Sequence, residues 1–63
     1  MRFVIFDDGN LVDSFDDETE AANALRDLAT SAEAEPHLLL AAFDDAGELM
    51  ADCVPGEQLV IPA

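Results

Sequence analysis

Lysine, tryptophan and tyrosine are absent from this chain, and cysteine and histidine occur once each, as Cys53 and His37. A single cysteine excludes a disulfide framework, and with one histidine beside it the usual His/Cys zinc clusters are excluded too. The only side-chain cations are Arg2 and Arg26. That is too few to neutralise a phosphate backbone, so direct binding to nucleic acid is disfavoured. An anionic membrane surface would repel the chain for the same reason. Long apolar runs are also missing. The longest apolar run that includes no acid, His37 to Phe43, falls far short of the roughly 20 residues that a spanning helix requires. The amino end, Met1 to Phe6, meets Asp7 and Asp8 too soon for a secretory signal. With one unpaired cysteine, this leads us to expect a cytoplasmic protein.

What is present is acid and apolar side chains together. The 63 residues carry 15 Asp and Glu and a formal charge of −13, yet 51% of them are hydrophobic. That apolar content is too high for a disordered acidic tail and implies one small folded domain over 1–63. A chain of this length buries only about 60% of its unfolded surface, so its core is small.

Arg2 to Phe6 is a β-branched and aromatic run that stops at Asp7-Asp8-Gly9-Asn10 and resumes at Leu11 to Phe15. Asp-Gly between apolar runs predicts a hairpin, because both residues tolerate positive φ. Asp16 and Asp17 then offer N-cap carboxylates, with Glu20 at capping-box spacing from Asp17. The helix is expected from about Asp17 to about Glu35, before Pro36. Its buried stripe is Ala21, Ala24, Leu25, Leu28 and Ala32, with Glu20, Asn23, Asp27, Thr30 and Ser31 opposite. His37 to Phe43 reads as a third strand, Asp44 to Gly47 as a turn with glycine at positive φ, and Glu48 to Val54 as the return strand. Gln58 to Ile61 is expected as a short edge strand after the Pro55-Gly56 break.

The fold class is therefore α+β, ββαββ, an antiparallel sheet in the order 2-1-3-4 with one helix packed on one face. The central strands are apolar on both faces, and one helix covers only one of them. The other face would expose a patch that soluble monomers seldom show. A homodimer is expected to cover it, or failing that the Gln58–Ile61 segment.

No constellation of catalytic type emerges. Cys53 in a strand reads as a small buried hydrophobe, and His37 at a strand start as a structural or exposed histidine. Three Phe-Asp-Asp repeats place Asp7-Asp8, Asp16-Asp17 and Asp44-Asp45 beside one another. Paired acids suit Ca²⁺ or Mg²⁺, but none has the spaced ligand ladder of an EF-hand loop. No Gly-rich phosphate loop is present. We expect neither an enzyme, a cofactor nor a metal.

The surface field remains. Fifteen acids on a small domain attract basic partners and accelerate encounter with them. In size and charge alone, the chain resembles the short acidic inhibitors carried by phages and mobile elements, including some anti-CRISPR proteins. That resemblance implies a non-enzymatic nucleic-acid mimic that blocks the basic groove of a nucleic-acid-binding protein. The contacts expected on this reading are Asp7, Asp8, Asp16, Asp17, Glu20, Asp27, Asp44 and Asp45. Glu20 and Asp27 stand about 10 Å apart along the helix, within the range of successive phosphates. Two alternatives stay open. The acids and alanines also resemble those of proteins from salt-loving organisms, and an antitoxin or assembly module could neutralise one basic partner.

Overall fold

The computed structural model describes residues 1–31 and 37–62. Five elements follow in chain order: β1 (Arg2–Asp7), β2 (Asn10–Phe15), α1 (Glu18–Ser31), β3 (Leu38–Phe43) and β4 (Leu49–Cys53). The strands form one sheet in the order β2-β1-β3-β4, with every neighbouring pair antiparallel. This is the α+β arrangement expected from the strand pattern.

The first turn forms as the Asp-Gly signal requires. Asp8 and Gly9 both hold positive φ, 52° and 84°. That is the two-residue hairpin loop whose twist matches the flanking strands. β1 and β3 pair in unbroken register, from Arg2 opposite Phe43 to Asp7 opposite Leu38. The Asp8 N–H extends this ladder by donating to the His37 carbonyl at 3.0 Å.

Both outer strands are bulged. Val12 has no partner between Ile5↔Asp13 and Phe6↔Leu11, and Met50 has none between Ala42↔Ala51 and Phe43↔Leu49. An extra residue on an edge strand bends it and interrupts the row of groups that another chain would pair with.

α1 begins where the capping signal places it. Asp17 Oδ2 accepts from the Glu20 N–H at 3.2 Å, and the Asp17 carbonyl accepts from the Ala21 N–H at 3.1 Å. The carboxylate thus satisfies one of the orphan donors of the first turn and sits at the favourable end of the helix dipole. The expected continuation from Ser31 toward Glu35, with Ala32, lies outside the described residues.

The core lies between α1 and one sheet face. Phe3 and Ile5 of β1, Leu38, Leu40 and Ala42 of β3, and Cys53 of β4 meet Ala21 and Leu25 of the helix. Two details differ from the sequence pattern. Leu28 is 36% exposed, and Ala29 packs on the core instead, because the Ala21–Leu25–Ala29 row is the one centred on the sheet. The segment 58–61 forms no strand. Its alternation is real, with Leu59 and Ile61 packed against the helix-side core and Val60 73% exposed. The Pro55–Gly56 turn, with Gly56 at φ 92° and the Glu57 N–H on the Val54 carbonyl, directs the chain toward the helix and away from the edge of β4. The segment therefore does not cover the other sheet face.

Candidate functional site

Strand alternation sends Val4 and Phe6 of β1, and Ala41 and Phe43 of β3, to the face opposite the helix. Val4 and Ala41 are buried there by their sheet neighbours, although they lie outside the helix-side cluster. Phe6 and Phe43 are half-buried. The bulges bring Leu11 opposite Phe6 and Leu49 opposite Phe43 on the same face, where they are 66% and 55% exposed. Val4, Phe6, Leu11 and Phe43 floor a shallow groove of about 500 Å³, edged by Arg2, Asp16, Asp44 and Asp45.

The antiparallel pairing sorts the acids by sheet end. Phe15 lies opposite Phe3, and Phe43 opposite Arg2, so Asp16-Asp17 and Asp44-Asp45 share one end. Asp7 and Asp8 stand at the other, beside the start of β3. The structure thus brings two of the three Phe-Asp-Asp repeats together and leaves the third apart.

Several of these carboxylates have local work. Asp44 is half-buried, and its Oδ1 accepts from the Ala46 and Glu48 N–H groups at 2.9 Å each, closing the turn before β4. Asp17 caps α1. Asp45 is fully exposed, with Oδ1 3.4 Å from the Met1 amino group. Asp7, Asp8, Asp16, Glu20 and Asp27 are exposed. Asp27 lines a small depression between α1 and β2 with Val12, Asp13 and Leu28, so it stands on the β2 flank of the helix.

Sequence reasoning missed Arg2 in the apolar groove, Asp13 beside Asp27, and Asp52 opposite Ala41. Arg2 was legible from alternation with Val4. The edge acids were not, because a bulge reverses the parity that spacing predicts.

Cys53 is 5% exposed. Burial pushes its thiol above the ordinary range, and the Glu57 and Asp52 carboxylates add to the shift. A thiol held neutral is a poor nucleophile. His37, the other residue weighed for nucleophilic chemistry, is exposed. Among the described residues, no group of three or more His, Cys, Asp or Glu is placed to hold a metal ion, and no helix is long and apolar enough to cross a membrane. No family model, curated protein or solved structure matches the chain.

Proposed function

We propose that the chain is a non-enzymatic acidic binding protein that occupies a basic groove of a larger nucleic-acid-binding protein and excludes nucleic acid from it. One observation carries this reading. Among the described residues no polar or charged side chain is buried, and every carboxylate but the half-buried Asp44 is exposed. The sole ion pair among them is that of Asp45 with the Met1 amine. The acids are therefore not spent on internal salt bridges. Lys and Arg side chains shaped to hold phosphates would meet carboxylates instead, through charge-assisted hydrogen bonds. Steering by the net charge would raise the association rate.

The residues best suited to contact are those without a backbone to hold: Asp7, Asp8, Asp16, Asp45, Glu20 and Asp27. Asp17 and Asp44 contribute mainly by fixing the helix start and the turn. A partner is captured from a host extract at low salt, purified, and titrated with this protein in the presence of DNA or RNA. Mutual exclusion, and affinity that falls steeply with salt, are the expected results. Joint substitution of Asp16→Asn and Asp45→Asn should weaken binding more than Glu57→Gln. A partner that is not basic, or one that holds nucleic acid and this protein at once, overturns the proposal.

The dispersal of the acids over both sheet ends and the helix favours a second reading, adaptation to a salty solvent, in which the charge only hydrates the surface. Equally acidic unrelated proteins from the same source, together with no competition for a basic groove, would decide for it.

A further inference from the structure

We propose that the open sheet face is a self-association surface on which a second copy of the chain packs across a twofold axis. This goes beyond the binding function above and does not depend on it. The half-buried Phe6 and Phe43 lie over the buried Val4 and Ala41 on this face, with Leu11 and Leu49 opposite them in register at 66% and 55% exposure. Leu59 and Ile61 of the segment 58–61 are committed to the helix-side core.

Charge selects the occupant. A twofold interface sets one patch against itself, so charges on it are offset only where the patch carries both signs. This groove does. Arg2, one of two arginines on a chain of charge −13, lies in it beside Asp16, Asp44 and Asp45. A basic partner filling the groove would meet Arg2 as a like charge, so it is expected to engage Asp16 and Asp45 only from the rim, with its remaining counter-charges on the helix and at the Asp7-Asp8 end. In a second copy, Arg2 of one chain has the carboxylates of the other to pair with.

Size sets the strength. Four strands about 4.8 Å apart and about six residues long at 3.3 Å give a footprint near 400 Å². Two copies would bury roughly 800 Å² in total, below the range of stable specific interfaces, which implies a weak, reversible dimer. Each copy is strongly negative, so association should tighten with salt, opposite in sign to the salt dependence of binding a basic partner.

Sedimentation equilibrium of the protein alone, from about 5 to 200 µM at about 0.05 and 0.5 M NaCl, tests this. The expected result is a monomer–dimer equilibrium that tightens at the higher salt. Leu11→Ser with Leu49→Ser, both exposed in the single chain, should weaken it by about tenfold or more while the circular dichroism is unchanged. Arg2→Glu should weaken it as well, and Leu28→Ser on the helix side should leave it intact. A monomer at the top concentration in high salt overturns the proposal and gives the face to another protein's apolar segment. A dimer indifferent to the Leu11 and Leu49 changes, or dissolved by Leu28→Ser, overturns it too by placing the interface elsewhere.

Discussion

Cys53 lies opposite Leu40 on the helix side of β4, where burial holds its thiol in the neutral form. Its raised folded-state pKa has a defined consequence. Below the ordinary thiol range both folded and unfolded chains keep the proton, and the buried thiol contributes its full packing. As pH climbs past about 8.5 the unfolded chain loses the proton first, so stability falls until the folded thiol also ionises. The chain has neither lysine nor tyrosine, so Cys53 is the side chain to which an alkaline loss of stability is assigned. Urea unfolding from about pH 7.5 to 10.5 should therefore show a decline no steeper than about 1.4 kcal/mol per pH unit. Cys53→Ala should flatten that limb while costing about 1 kcal/mol at neutral pH through lost packing. A wild-type limb as flat as the variant's would mean that the thiol is more solvated than its 5% exposure implies.

At the scale of elements, the two hairpins begin from similar sequences, Phe6-Asp7-Asp8-Gly9 and Phe43-Asp44-Asp45-Ala46-Gly47, and close by different means. The first relies on two positive φ angles. The second combines Gly47 at φ 83° with the Asp44 carboxylate, which gathers two backbone N–H groups. Neighbouring acids of the same type thus differ in what they hold. Asp44→Ala should cost about 1–2 kcal/mol, because it leaves two turn donors without their acceptor. Asp45→Ala should change stability by less than about 0.5 kcal/mol, since an exposed ion pair contributes little. Thermal unfolding of the two variants side by side checks this, and equal losses would refute the assignment. The hairpin, the helix start at Asp17 and the strand order were legible in the sequence, because turn chemistry and capping act locally and the apolar central strands allow few sheets. The bulges at Val12 and Met50 were not, since they arise from fitting edge strands to a twisted sheet. Nor was the docking of Leu59 and Ile61, whose alternation is the same whether they pair on an edge or lie over a core. Of the candidate site, the strand order already sets Asp7-Asp8 and Asp44-Asp45 at opposite ends of the sheet, and alternation puts Arg2 on the face of Val4. That Asp16 shares the Asp45 end follows only from the register.

For the whole molecule, charge opposes compactness. Its extents are 35 × 20 × 15 Å, whereas the Debye length is about 30 Å at 0.01 M ionic strength and about 8 Å at 0.15 M. In dilute buffer nearly every carboxylate therefore interacts with every other, and at physiological strength only neighbours do. A pair of like charges about 15 Å apart in water costs about 0.3 kcal/mol. Fifteen acids against two arginines form dozens of such pairs, which unfolding relaxes by spreading the chain. Opposing this is a core in which Ile5 and Leu40 are the largest side chains fully removed from solvent, so a few kcal/mol of repulsion is a large share of the stability that so short a chain sustains. The melting temperature should rise by about 10 °C or more between 0.01 and 0.5 M NaCl, given that about 1 kcal/mol corresponds to 4–8 °C in a domain of this size. Thermal circular dichroism of the Leu11→Ser, Leu49→Ser variant, in which the proposed dimer is weakened, run beside the wild-type chain isolates screening from association. A melting temperature indifferent to salt would show that the Asp17 cap and the Asp44 turn, with other short-range contacts, outweigh the collective repulsion of the surface.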